Sequence, residues 1–271
     1  MNDKNLSKAA HNLLIDCAGL TQSDSLLIVR EQESLGWYKN DISEYILKSA
    51  KEIGINASLH EVGPPEISQS KDFFEKLNQF NCVIFFARLG DQNRFEEKGF
   101  TTKRVMSYVR DCNSLASIFG TLDYNLNIMV KDEIDKLIQD SNKVKISCPL
   151  GTNLTGDIIL DNSATKEVSV LRFPILVTKP VAARSFSGQV VLNNYLTSTG
   201  SRVYKPNFIK IKSEATILIE NGKITDIQGN PEDVNNIYSH YNFVSQKFSI
   251  DKNAVHSWHP GIHPGLSLIH I

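Results

Sequence analysis

Hydrophobic and polar positions alternate in two rhythms over the first half of the chain. Short, nearly continuous apolar runs sit at SLLIVR (25–30) and within NCVIFFARLG (81–90), and INASLHEV (55–62) reads as a further strand between them. Runs of this length suit strands buried on both faces. Between them, apolar residues recur at helical spacing. Ile42, Tyr45, Ile46, Ala50 and Ile53 share one helix face, with Asp41 placed to cap its start and Gly54 its end. Residues 71–80 and 131–143 read as further helices. By the same spacing, 101–112 (TTKRVMSYVRDC) is predicted as a helix and 114–120 (SLASIFG) as a strand. The alternation predicts a layered βα unit over residues 1–143.

From Val144 the rhythm changes to strand-like stretches separated by Gly, Asn, Asp and Pro. These are residues 144–149, 157–162, 167–174, 188–196 and 215–229. Asn221-Gly222 between two apolar runs marks a tight hairpin, because both residues accept positive φ. The expected fold class is therefore α/β: a βα-alternating layered domain over 1–143, then a mostly-β (α+β) domain over 144–271. The second domain is read as incomplete at its C-terminus.

Composition adds exclusions. The 271 residues are 41% hydrophobic and 22% charged, with 29 basic against 30 acidic side chains. That balance suits a folded chain and gives no basic field for nucleic acid or an anionic membrane surface. No apolar run approaches the ~18 residues needed to span a bilayer, and the N-terminus lacks secretory signal order. Four scattered cysteines (Cys17, Cys82, Cys112, Cys148) without a C-x-x-C pair read as reduced thiols, which points to the cytoplasm.

Histidine is unevenly spread. Four of seven (His256, His259, His263, His270) fall in the last sixteen residues. In His256-Ser-Trp-His259-Pro-Gly-Ile-His263-Pro-Gly265 the prolines and glycines forbid a regular helix, so turns must aim the imidazoles. Imidazole suits iron, zinc, copper or nickel. The candidate metal ligands are thus His256, His259 and His263, with no cysteine nearby to suggest a structural zinc site.

Other stretches carry weaker signals. ARLGDQNRF sets Arg88, Asp91 and Arg94 at a strand's carboxyl end, where α/β sheets often bind ligands, although it reads more simply as a solvated loop. PLGTNLTGDI (149–158) could present backbone N–H groups to an anion, but reads first as a turn between strands. The polar loop with Ser198, Thr199, Ser201 and Arg202 could clamp a carboxylate. The glycine patterns of dinucleotide and P-loop sites are absent, as are the serine-hydrolase elbow and H-E-x-x-H.

KISCPLGTNLTGDI, RFPILVTKP, SGQVVL and ATILIENGKITDIQG resemble, in order and spacing, the aminopeptidase T/aminopeptidase S family of dinuclear metallo-aminopeptidases. They also resemble the 2,5-dihydroxypyridine 5,6-dioxygenases that share its fold. In the peptidases, the segment matching Arg172–Pro180 carries a metal-binding glutamate. Ile175 and Leu176 stand there instead, and neither can ligate a metal. The resemblance then implies the dioxygenase pattern: one iron(II) held by an upstream histidine, matched by His259 or His263, and a later His-x-Asp pair. That pair is absent before residue 271, so the chain is expected to be truncated. LSLIHI (266–271), His270 included, resembles translated adapter sequence and is set aside as non-native. The implied cofactor is a divalent metal, iron(II) for a dioxygenase, or zinc, cobalt or manganese for an aminopeptidase. The implied partners are a small-molecule or short-peptide substrate and, at full length, a second copy in a homodimer. A non-catalytic binding module on the same fold is the remaining alternative.

Overall fold

A computed structural model describes residues 3–65, 71–92, 94, 101–159, 169–198 and 204–266. Helix α1 (Asp3–His11) runs on as a π-helical turn over Asn12–Cys17 and leads into strand β1 (Ser25–Glu31). Helix α2 (Asn40–Glu52), strand β2 (Asn56–Val62), helix α3 (Lys71–Leu77) and strand β3 (Cys82–Phe86) follow. Each lies where the apolar pattern placed it.

The next stretch reverses the sequence reading. Residues expected to be helical hold strand β4 (Lys103–Ser107), after a short helix α4 (Leu89–Gln92). The expected strand at 114–120 is instead two short helices, α5 (Cys112–Ala116) and α6 (Ile118–Thr121). The reason is burial. A strand enclosed on both faces shows no alternation, and Arg104, Val105, Met106 and Ser107 are all buried. The helices carry start signals that apolar spacing ignores: Asp111 accepts from Ser114 N at 2.7 Å, and Ser117 accepts from Phe119 N at 3.1 Å.

Helix α7 (Tyr124–Gln139), capped by Asp123, closes this part and begins earlier than the expected 131. Strands β5 (Lys143–Ser147) and β6 (Asn153–Asp157) form a hairpin whose turn is closed by Gly151 N to Cys148 O at 3.0 Å. The candidate anion loop at 149–158 is therefore mostly hairpin. Then come β7 (Leu171–Phe173), β8 (Val181–Ala182), β9 (Ser187–Leu192), β10 (Tyr195–Thr197), β11 (Phe208–Lys210), β12 (Ala215–Glu220) and β13 (Lys223–Gln228). Helix α8 (Pro231–Phe248) and strand β14 (Ser257–Trp258) complete the described elements. Asn221 and Gly222, at φ 49° and 72°, turn β12 into β13 as the Asn-Gly pair predicted. Helix α8 escaped the strand-centred reading, although Asn230 at its cap and Pro231 at its first turn announce it. Thr199, Ser201, Arg202, His270 and residues 160–162 lie outside the described residues.

The fold is mixed α/β. One sheet is parallel, in the order β2-β1-β3-β4-β7. Its fifth strand, β7, comes from beyond residue 143, after the first antiparallel hairpin. The second sheet is antiparallel, in the order β13-β12-β9-β6-β5. Each sheet has its own core. The parallel sheet buries Leu26, Ile28, Val83, Ile84, Phe86 and Val105 against α1 and α2. The antiparallel sheet buries Phe186, Ile217, Ile219 and Ile227 against Ile237 of α8. Among the described residues, no helix is long and apolar enough to cross a membrane.

Candidate functional site

The histidine-rich segment is an extended ribbon, not a free loop. It runs antiparallel to residues 175–183, pairing Trp258 with Val181 and Ser257 with Ala182. Further bonds continue the ladder: Ala183 N to His256 O at 3.0 Å, Thr178 N to Pro260 O at 3.2 Å and Ile262 N to Leu176 O at 2.9 Å. Pro260 and Pro264 lack N–H groups, so they fit at ribbon positions that only accept or make no bond.

A polar face of α7 holds the opposite strand of this ribbon. Asn127 Nδ2 donates to Ile175 O at 2.7 Å, and the Asp135 carboxylate accepts from Lys179 N at 2.9 Å. Lys131 Nζ donates to the other Asp135 oxygen at 2.9 Å, and both side chains of this pair are only 7% exposed. Asn127, Lys131 and Asp135 recur every four residues, so they line one helix face. Sequence reading missed them because it searched helices for apolar faces. The polar spacing itself was the available signal.

The ribbon gives its three histidines different fates. His259 Nδ1 lies 3.2 Å from Thr178 O. A carbonyl only accepts, so Nδ1 carries the proton and Nε2 keeps its lone pair. His259 is exposed, and among the described residues its one hydrogen bond is the Nδ1 contact, which leaves Nε2 without a partner there. Partial burial of the ring pulls the His259 pKa below the usual histidine value. The bond to Thr178 opposes this, the positive charges of Arg172 and Arg94 add to it, and Asp135 opposes it. The imidazole is thus held neutral and oriented, the state a metal ligand or a base requires.

His263 is the reverse. Gly265 N donates to its Nδ1 at 2.9 Å, which uses that lone pair and leaves the proton on Nε2. Nε2 is buried without a partner, and the ring packs edge-on against Phe119 at 5.2 Å. Burial lowers its pKa as well. In this state neither nitrogen presents a lone pair to a ligand. His256 is exposed, and its backbone carbonyl serves the ladder. The ribbon therefore orients one of the three predicted ligands and does not gather them.

At the carboxyl end of the parallel sheet, Arg88, Asp91 and Arg94 are not the solvated loop that the sequence suggested. Asp91 is buried and accepts from Arg94 Nη1 at 2.7 Å and from Tyr108 Oη at 3.2 Å. Burial and the Asp91 charge push the Tyr108 hydroxyl pKa up. Arg88 pairs with the buried Glu31. Arg172 on β7 is half-buried and acts electrostatically on both Tyr108 and His259, so the sheet end and the ribbon share one electrostatic neighbourhood.

A divalent metal in a protein site of this kind needs three or more donors. Among the described residues no group of three His, Cys, Asp or Glu side chains comes together. Ile175, which is buried, and Leu176, bonded opposite Ile262, put aliphatic groups on the strand facing the histidines. The described residues meet the requirement at one donor, His259, and no step through a metal follows from them.

No family model and no curated protein matches the sequence. Solved structures do. The 2,5-dihydroxypyridine dioxygenase of Pseudomonas putida KT2440 superposes with a TM-score of 0.63 at 12% identity, covering 96% of this chain and 76% of that one. AmpT of Thermus thermophilus superposes with a TM-score of 0.58 at 9% identity, covering 97% of this chain and 79% of that one. These are the two groups that the sequence motifs resemble, and the chain shares their fold.

Proposed function

We propose that this protein is an iron(II)-dependent oxygenase-like enzyme acting on a small hydroxylated N-heteroaromatic ring, with His259 as the imidazole that holds the metal. The observation that carries this reading is the state of His259: neutral, tautomer-locked by Thr178, and open at Nε2. Bound iron(II) would supply the Lewis acidity and redox chemistry of ring opening. The chain's own residues keep the His259 lone pair unprotonated near neutral pH and surround it with the positive field of Arg172 and Arg94. Ile175 and Leu176 weigh against the two-metal peptidase reading, because a second ion would need a donor where they stand.

Anaerobic iron(II) titration of the full-length protein by calorimetry tests the assignment, alongside H259A and H263A. Binding lost in H259A and kept in H263A supports it. Equal binding by wild type and H259A would overturn it. Oxygen uptake across a panel of hydroxylated pyridines tests the reaction class, and no uptake by iron-loaded protein would reject it.

A further inference from the structure

The parallel sheet reverses its strand order between β1 and β3: the chain steps from β1 outward to β2, then back across to β3 and β4. In open α/β sheets, the carboxyl ends of the strands at such a reversal form a crevice where ligands bind. Here that position holds a cluster built from residues other than those of the histidine ribbon. Glu31, the last residue of β1, is 1% exposed. Its carboxylate accepts from Arg88 N at 3.0 Å and from Arg88 Nε at 2.8 Å, and it also binds Arg88 Nη2. Arg88 follows β3 by two residues, so this pair bridges the two strands at the reversal.

The indole of Trp37, in the segment after β1, takes the Arg88 guanidinium 4.8 Å from its centroid. A second guanidinium, that of Arg110 just beyond β4, lies 5.2 Å from the same ring. Two cations thus converge on one aromatic face system, and a single buried carboxylate neutralises one of them. Arg110 is exposed and makes no ion pair among the described residues. The carboxylates of Glu33, Asp41 and Asp111 accept backbone N–H bonds from Asn40, Cys112 and Ser114. Lys39, whose N–H binds Arg110 O at 2.9 Å, adds another exposed cation. The indole stiffens the forked donor of Arg110, and Glu31 fixes Arg88 against the same ring. Such a guanidinium is pre-oriented for a two-oxygen acceptor.

We propose that Trp37 and Arg110, seated on the Glu31–Arg88 pair, form a binding site for a small oxyanionic ligand bearing a carboxylate or a phosphate group. The oxyanion would pair with Arg110, and the indole would flank it and report its arrival.

The chain has two tryptophans, Trp37 and Trp258. W258F therefore leaves Trp37 as the sole indole, and it removes a buried Nε1 that lacks a partner. Titrating W258F with inorganic phosphate and, separately, with succinate, at constant ionic strength held with chloride, should give saturable changes in Trp37 emission. The better of the two anions identifies the ligand chemistry. R110Q in the same background should weaken that response by roughly tenfold or more, the loss of one charged hydrogen-bonding partner. R110K, which keeps the charge without the fork, should recover only part of it. If W258F folds poorly, the melting temperature of the wild-type chain with and without each anion, against that of R110Q, reads the same difference. An emission and melting temperature indifferent to both anions, or a response that R110Q leaves intact, would overturn the proposal.

Discussion

The Lys131–Asp135 pair joins α7 to the ribbon that presents His259, and Asp135→Ala puts this link to the test. The substitution removes the acceptor of Lys179 N and takes the nearest carboxylate from a buried ammonium. Breaking a buried pair by deleting one partner costs about 3–5 kcal/mol, most of it the penalty on the charge left behind. Lys131 also lies 3.5 Å from the exposed Asp132, which softens the penalty and favours the lower end, about 3 kcal/mol. For a chain of this size that corresponds to a melting temperature lower by about 6–12 °C. Urea unfolding of wild type, D135A, K131M and K131M/D135L supplies the cycle. The double variant replaces the pair by apolar groups and should recover much of the loss of D135A, since no uncompensated charge remains. Equal stability of D135A and the double variant would refute the buried-charge argument. A loss below about 0.5 kcal/mol in D135A, the range of an ordinary surface change, would refute the structural role of the pair.

Further outcomes follow from other parts of the molecule. Burial pushes the Cys17, Cys82 and Cys112 thiols up to about 12, whereas Cys148 is exposed and the Thr152 hydroxyl and nearby backbone N–H groups lower its pKa. A disulfide-exchange reagent at pH 7.5 should therefore label Cys148 alone in the folded chain and all four cysteines in denaturant. Burial also sets the His263 pKa below the usual 6.5, so the folded form resists a proton that the unfolded form accepts. Its contribution to stability is complete above about pH 6.5 and falls as pH drops below that value. H263F, which keeps an aromatic ring against Phe119, should flatten this part of a stability-against-pH curve. Gly222 sits at φ 72°, and a Cβ there would lie 2.6 Å from the Arg184 Cα. G222A should destabilise the β12–β13 hairpin by about 1–3 kcal/mol, measured by chemical unfolding, and a neutral result would contradict the turn geometry.

Much of the architecture was legible without coordinates. Unbroken apolar runs such as Leu26–Val29 and Cys82–Phe86 can satisfy their side chains only inside a two-sided layer. Asn221-Gly222 permits few alternatives to a tight turn. These are local constraints, carried by neighbours in the chain. The histidine cluster was visible too, as a set of donor atoms near one another in sequence. Its chemistry was not. Whether an imidazole nitrogen is a donor, an acceptor or a free lone pair depends on what faces it, and Thr178 lies 81 residues from His259.

The same limit explains the failures at β4 and α7. Lys103–Ser107 is a strand because β3 and β7 flank it, and β7 arrives from 64 residues later. Helix α7 exposes Leu126, Met129 and Leu137 and turns Asn127, Lys131 and Asp135 inward. No apolar periodicity predicts that inversion, since Asn127 and Asp135 bond the backbone of a distant ribbon and Lys131 pairs with Asp135. By itself, then, the sequence determined the layered class, the hairpins, the nearly balanced charge and the presence of candidate donor atoms, because each rests on local pattern or on composition. Only the tertiary structure decided that His259 is held open while His263 is consumed, and that Arg88, paired with Glu31, and Arg110 meet at the Trp37 ring. Hydrogen bonding and desolvation act between groups that meet only after folding.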